Sequence, residues 1–267
     1  MNDLSQLRRA IERDFFQHPV VTANPFTAWF AEGDLELEDV RDMVRQFSVF
    51  SNHFLVVQVK RMVNAGTEEG EVCARNILMN ECGVSIDPRT GSPEGRTFAT
   101  ARAHINWLRE LGRHLGMDPR ELGRWESGSR STHEFLDGLD ATYGSRDPMV
   151  GAGASFAIET WAAFGIGDPQ LEHKNFWKQL ISGLEAHDKD LPIGFFKYHF
   201  ELEAGHGANV WKELQETVEK PEFDARRFLR GGRKALDAIH TFWLGLDQAR
   251  RERRSAPARL NVAQLGF

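Results

Sequence analysis

Apolar residues recur along most of this chain at the spacing of an α-helix, and alternating strand-like runs are nearly absent. Proline and glycine positions separate the helical segments. The pattern predicts helices over residues 4–16, 38–63, 67–81, 98–115, 132–143, 150–165, 168–187, 193–218 and 224–251. The predicted fold class is therefore all-α, a bundle of about seven or more helices.

Two local patterns make more specific predictions. Residues 54–57 are apolar on every side of their helix and should lie centrally in the bundle. Asp118 followed by Pro119 predicts an N-cap and first position of a further short helix.

The chain of 267 residues contains no repeat, linker or low-complexity segment, so we expect one domain over 1–267. Within it, residues 1–35 would form an N-terminal helical extension and residues 252–267 a C-terminal tail. Exposed helix faces are compatible with a homodimer.

Composition narrows the classes of function. Lys and Arg total 33 against 39 Asp and Glu, so no broad basic surface for nucleic acid is expected. The N-terminus lacks the apolar core of a signal peptide, and no run approaches the roughly 20 apolar residues of a membrane span. We expect a cytoplasmic protein without membrane contact, in which Cys73 and Cys82 are reduced thiols.

One segment spaces two imidazoles and a carboxylate as His-x-x-x-Glu-x-x-His, namely His199, Glu203 and His206. On a helix these positions lie within roughly 60° of one another and share one stripe. Aromatic residues within 195–200 and Trp211 indicate that the helix is at least half buried. Buried imidazole and carboxylate groups need partners, and a metal ion would serve all three. A Glu-x-x-His pair alone often occurs by chance, so the full triplet carries the hypothesis.

Three further residues could complete such a site. Glu159 lies in a helix of small and apolar residues with no other charge, and Glu81 ends a predicted helix. Each has an ordinary alternative, since a helix-end Glu is commonly solvated and a buried Glu often pairs with Arg. His104 lies on the apolar side of its helix, and His53 ranks below it as a candidate.

In these residues the chain resembles the haem-oxygenase-like diiron oxidases and oxygenases, a superfamily that includes the thiaminase II and pyrroloquinoline quinone synthase types. That family carries a Glu at a helix end, a helical His, a Glu from a later helix, and a final His-x-x-x-Asp/Glu-x-x-His helix. The matching residues are Glu81, His104, Glu159, His199, Glu203 and His206. The resemblance covers roughly residues 40–211.

The chain departs from the family pattern in two places. The loop between Glu81 and His104 is longer. Some members also use a carboxylate from the second helix, whereas residues 44–63 contain none, so either His53 or water takes that position or one iron is held weakly.

The resemblance implies a haem-oxygenase-like helical bundle that binds Fe(II), as two ions bridged by Glu81, with Mn as an alternative metal and O₂ as co-substrate. His104, His199 and Glu203 would hold one ion, and Glu159 with His206 the other. The implied activity is that of an O₂-dependent oxidoreductase acting on a small amino-acid-derived or fatty-acid-like substrate. N-oxygenation, desaturation and C–C cleavage are the implied reactions, with an external electron donor as a further partner.

Two other functions stay open at this point. One is a metal-free hydrolase of the thiaminase II kind, with Cys82 beside Glu81 as the nucleophile. The other is a non-catalytic helical binding protein whose buried polar residues only fix the packing. A ferritin-like diiron site would need two Glu-x-x-His motifs, and only Glu203 with His206 forms a convincing one.

Overall fold

The computed structural model describes residues 4–87, 92–93 and 95–255, without the side chains of 204–210, 212–213 and 216. The described residues form α1 (Leu4–Ile11), α2 (Pro19–Thr22), α3 (Pro25–Ala31), α4 (Leu37–Val63), α5 (Glu68–Glu81), α6 (His104–His114), α7 (Arg130–Thr142), α8 (Pro148–Ala162), α9 (Phe176–His187), α10 (Gly194–Val218) and α11 (Ala225–Ser255). A π-helical turn, Glu12–Phe16, extends α1. Among these residues the only β-pairing is an isolated bridge between Val84 and Phe98, so the all-α prediction is confirmed.

Side-chain caps fix where several helices begin. Thr67 Oγ1 accepts a hydrogen bond from the Gly70 amide at 3.1 Å and starts α5, as the sequence predicts. Asp147 caps α8 in the same way, with Pro148 at the first helical position. No helix in the described part of the chain is long and apolar enough to cross a membrane.

Two helices begin later than the sequence predicts. Residues 98–103 are not part of α6, because Phe98 pairs with Val84 in the bridge and Ala103 has an extended ψ of 130°. Residues 168–175 contain a separate 3₁₀ turn, and α9 begins only after Asn175 accepts a capping hydrogen bond from the Lys178 amide. The apolar residues of both segments recur at helical spacing, but their backbone hydrogen bonds do not form a continuous α-helical series.

Two other local predictions are wrong. Asp118 accepts a hydrogen bond from the Arg120 amide, but the residues that follow form turns and no helix. Residues 54–57 are not all central: Val57 is buried, whereas Val56 is 54% exposed. A helix inside a bundle contacts its neighbours on part of its circumference, so an apolar residue on the remaining face meets solvent.

Glycines bring α8 and α11 into backbone contact. A Cβ atom on Gly153 would lie 1.9 Å from the carbonyl oxygen of Phe228, and one on Gly231 would lie 2.2 Å from that of Val150. No residue larger than glycine fits at either position without moving a helix. The contact holds α8, which carries Glu159, tightly against the longest helix of the structure.

A buried carboxylate joins the start of α4 to the end of α11. Asp39 Oδ2 accepts hydrogen bonds from the Glu36 amide at 3.1 Å and from Arg254 at 2.9 Å, and Oδ1 accepts one from Arg253 at 3.1 Å. Burial acts to raise the pKa of Asp39, but the hydrogen bonds from Arg254, Arg253 and Glu36 together lower it.

We expect Asp39→Asn to lower the free energy of unfolding by about 1–3 kcal/mol at neutral pH, because it removes a helix cap and a buried ion pair. Since the folded-state pKa is lowered, this stabilisation is present above the unfolded pKa and is lost as pH falls through the folded value. Urea unfolding at neutral pH and below about pH 4 measures both effects. Asp34→Asn is the control, because the Asp34 side chain is 91% exposed; equal losses in the two variants would contradict the prediction.

Candidate metal centre

Three helices bring one carboxylate and two imidazoles together. Glu81 is the last residue of α5, His104 is the first of α6, and His199 lies in the second turn of α10. Glu81 Oε2 lies 2.8 Å from Nδ1 of His104, and Glu81 Oε1 lies 3.9 Å from Nε2 of His199. The two imidazole rings are 4.6 Å apart between centroids, and one donor atom from each residue lies within 4.8 Å of the others.

The orientation of His199 is set by its own helix. Its Nδ1 lies 2.7 Å from the carbonyl oxygen of Phe195, one turn earlier. A carbonyl only accepts hydrogen bonds, so Nδ1 carries a proton, and Nε2 is the nitrogen that faces Glu81. The ring also stacks on Trp177 at 4.9 Å. This arrangement is typical of a metal-binding histidine, whose second nitrogen commonly donates to a carbonyl.

Asn80 fixes the end of α5 against α10, and sequence reasoning missed it. Its side-chain amide donates hydrogen bonds to the Tyr198 hydroxyl at 2.7 Å and to the Val84 carbonyl at 3.2 Å. Asn80 precedes Glu81, and Tyr198 precedes His199, so this bond holds the carboxylate and the imidazole in register.

The Glu81 carboxylate keeps its negative charge although it is only 11% exposed. Burial acts to raise the pKa of Glu81, but the imidazoles of His104 and His199 outweigh burial and lower that pKa to about 2. Glu81 is therefore an anionic donor at neutral pH.

The cluster fits a divalent metal ion. Two imidazole nitrogens and a carboxylate are the donor types that iron, manganese and zinc accept. Nδ1 of His104 is buried and approaches Glu81 Oε2 to 2.8 Å. Donor atoms that converge so closely from three helices are well placed to share a cation.

The cluster borders an interior cavity of about 670 Å³. Glu81, His199, Glu203 and Glu159 all line this cavity, and most of its wall is apolar, including Phe50, Phe54, Phe156, Ile158, Trp161 and Phe176. Glu203 is buried one turn after His199. The cavity thus has acidic and imidazole groups gathered within apolar surroundings.

The structure brings together most of the residues that the sequence singles out. Glu81, His104 and His199 are in contact, and Glu159 and Glu203 share their cavity. The side chain of His206 lies outside the described residues. Metal ligation by all six residues stays a prediction.

Two other residues, His53 and Arg61, bear on which side chains form the site. His53 is absent from the described cluster and instead lies against Trp125, with ring centroids 5.1 Å apart. Arg61 lines the cavity and is buried, which sequence reasoning missed. The available signal was its place on the inner face of α4, two turns after Phe54.

A search among solved structures identifies the fold. The chain is similar to a TenA homolog from Pseudomonas syringae pv. tomato, with a TM-score of 0.61 and 13% identity over 91% of this chain and 92% of that one. The chain has the haem-oxygenase-like helical fold. The predicted fold is therefore confirmed, and at this identity the likeness shows the fold alone. No protein-family model and no curated protein matches the chain.

We expect His104→Ala to weaken Fe(II) binding at least about tenfold, because it removes a nitrogen donor in contact with Glu81. His53→Ala is the matched control and should leave affinity unchanged, since that ring packs on Trp125. Anaerobic equilibrium dialysis followed by metal analysis measures both variants. Loss of iron in His53→Ala with retention in His104→Ala would exchange their roles.

Proposed function

We propose that this protein is a non-haem iron-dependent enzyme that uses O₂ to oxidise a small substrate held in the interior cavity. The observation that carries the proposal is the cluster of Glu81, His104 and His199 on the wall of an apolar cavity. Mixed imidazole and carboxylate donors suit redox-active iron, with manganese as the alternative. Iron bound there would supply the electrons for O₂ reduction, with an external donor restoring the reduced metal.

Three side chains would already be arranged for metal binding in the metal-free protein. Glu81 is already ionised at neutral pH, so binding a cation costs no proton loss from this carboxyl. His199 offers Nε2 because the Phe195 carbonyl holds its other nitrogen. His104 is buried at the start of α6.

A second ion would be held by Glu159 and His206, and Glu81 and Glu203 would supply the other carboxylates of the site. The support for this arrangement is that Glu159 and Glu203 line the same cavity as Glu81. The backbone of α10 is helical from 194 to 218, so position 206 lies two turns after His199 on the same stripe.

The apolar wall of the cavity suits an oxidation. Aromatic and aliphatic side chains around the cluster would limit the access of water, which would protect a reactive oxidant from side reactions. The same wall suits a substrate with an apolar body, such as a fatty-acid-like or amino-acid-derived molecule. N-oxygenation, desaturation and C–C cleavage all fall within this proposal.

The fold shared with a TenA homolog also accommodates a metal-free hydrolase of the thiaminase II kind. That function would need a reactive thiolate at Cys82. Partial burial and the neighbouring Glu81 carboxylate both raise the pKa of the Cys82 thiol, and the thiol form is a poor nucleophile. This electrostatic setting supports the iron-dependent function over hydrolysis by Cys82.

We expect Fe(II)-loaded protein to consume O₂ in the presence of its substrate, and His199→Ala and His206→Ala to reduce consumption to background. Both variants should remain helical by circular dichroism, because a buried carboxylate that loses its cation can take up a proton. An oxygen electrode, with fatty acids and amino acids as candidate substrates, measures the rates. Cys82→Ser is the control and should keep full activity.

Two outcomes would overturn the proposal. Full turnover by His199→Ala would exclude the metal centre. Substrate hydrolysis by iron-free protein that disappears in Cys82→Ser would establish the hydrolase instead.

A further inference from the structure

A groove at the start of α11 lies apart from the metal centre. It has a volume of about 880 Å³ and is bordered by α1, the π-helical turn after it and residues within 221–233. Among the described residues it shares none with the lining of the interior cavity. The basic residues described in its lining are all arginines: Arg9, Arg13, Arg226, Arg227 and Arg233. The groove is therefore a candidate binding site that the proposed function does not use.

The arginines come from two elements that pack together. Arg9 lies in the last turn of α1 and Arg13 in the π-helical turn that follows, so the two are about one turn apart. Arg226 and Arg233 are seven positions apart on α11 and share one face of that helix. Because α1 and its π-helical turn contact α11, the two pairs of arginines border the same groove.

The carboxylates of the groove do not neutralise these cations. Asp14 Oδ1 lies 2.7 Å from Arg13 Nε, and Asp14 Oδ2 lies 3.2 Å from Arg233 Nη2, so two guanidinium groups share one carboxylate. The described lining has five arginines against three carboxylates, those of Asp14, Glu222 and Asp224. The groove thus has an excess of positive charge, whereas the whole chain has a net charge of −6.

Two of the arginines keep their positive charge available. Arg9 and Arg226 are exposed, and neither forms an ion pair with a side chain in the part of the chain that the structure describes. Asp224, the acid nearest to Arg226 in the sequence, pairs with Arg227 at 3.0 Å instead. An anion in the groove would therefore meet two guanidinium groups that no described carboxylate holds.

The backbone at the start of α11 already has a partner. Asp224 Oδ1 accepts hydrogen bonds from the amide of Arg226 at 3.0 Å and from that of Arg227 at 3.1 Å. These amides are the donors that a helix N-terminus commonly offers to an anion. Recognition in this groove would therefore depend on the arginine side chains, and replacing them should remove it.

The arginine side chain also determines which anion fits best. Its planar guanidinium donates two parallel hydrogen bonds to phosphate or carboxylate oxygens. Phosphate groups joined in a chain carry several charges over a short length, so one ligand could contact several guanidinium groups at once. The volume of about 880 Å³ lies within the usual range for small-molecule sites.

We propose that this groove binds a small molecule with a di- or triphosphate group, held by Arg9 and Arg13 from one element and by Arg226 and Arg233 from the other. A single phosphate would reach fewer of the guanidinium groups and bind more weakly. The groove is separate from the metal centre, so binding requires neither iron nor the proposed activity.

Calorimetric titration of iron-free protein at low ionic strength tests the proposal. The probes are inorganic triphosphate and ATP, with inorganic phosphate and citrate as the single-phosphate and tricarboxylate counterparts. We expect triphosphate and ATP to bind more tightly than phosphate or citrate, with an affinity that falls as salt is added. Arg9→Gln combined with Arg226→Gln should weaken triphosphate binding at least about tenfold, because two charged hydrogen-bond donors are lost.

Two further double variants control for charge and geometry. Arg120→Gln with Arg130→Gln removes the same net charge outside the groove, from side chains that are 86% and 92% exposed, and should bind triphosphate like the wild type. Arg9→Lys with Arg226→Lys keeps the charge but loses the planar fork, so its affinity should be intermediate. All three should unfold in urea like the wild type, because the replaced side chains are exposed.

Each contrary result overturns the proposal. Unchanged binding in the groove variant, or equal losses in the groove and surface variants, would remove the role of the groove. Citrate bound as tightly as triphosphate would assign a carboxylate ligand, and tighter binding of a short DNA duplex would assign a nucleic acid. Because every measurement uses iron-free protein, failure here leaves the iron-dependent function untouched, and failure of iron binding leaves this test valid.

Discussion

The site depends on one interaction, the contact of the buried Glu81 carboxylate with the imidazoles of His104 and His199. Glu81 lies at the C-terminal end of α5 and His104 at the N-terminal start of α6. The negative end of the α5 dipole disfavours the anion at Glu81. The contacts of Glu81 with His104 and His199 offset that cost. A divalent cation held by the three groups would offset it further, which links the electrostatics of the site to its proposed use.

Helix packing builds the rest of the site around this cluster. The glycine contacts between α8 and α11 bring the two backbones together and fix the wall that carries Glu159. Asn80 ties the end of α5 to α10 through Tyr198. The result is a cavity whose polar groups are held by helices and not by loops, a preorganised arrangement that suits precise chemistry.

The cavity wall carries charge of both signs. The ionised Glu81 carboxylate and the guanidinium of Arg61 both line it, as does the imidazole of His199. Apolar side chains form most of the remaining wall, so each charge acts in surroundings of low polarity where its interactions are strong.

Local patterns in the sequence were enough to predict much of this protein. Helical periodicity predicted the extent of α4, α5 and α10, because a helix face depends on residues within a turn or two. The same period placed His199 and Glu203 on one stripe. Thr67 predicted the start of α5 as its cap. Tertiary contacts decided the rest. Residues 98–103 stay outside α6 because Phe98 pairs with Val84, and Arg61, in the ordinary basic last turn of α4, is buried only because α5 and α8 pack over it. Sequence period specifies which face of a helix a residue occupies, but which faces meet depends on packing between segments far apart in the chain.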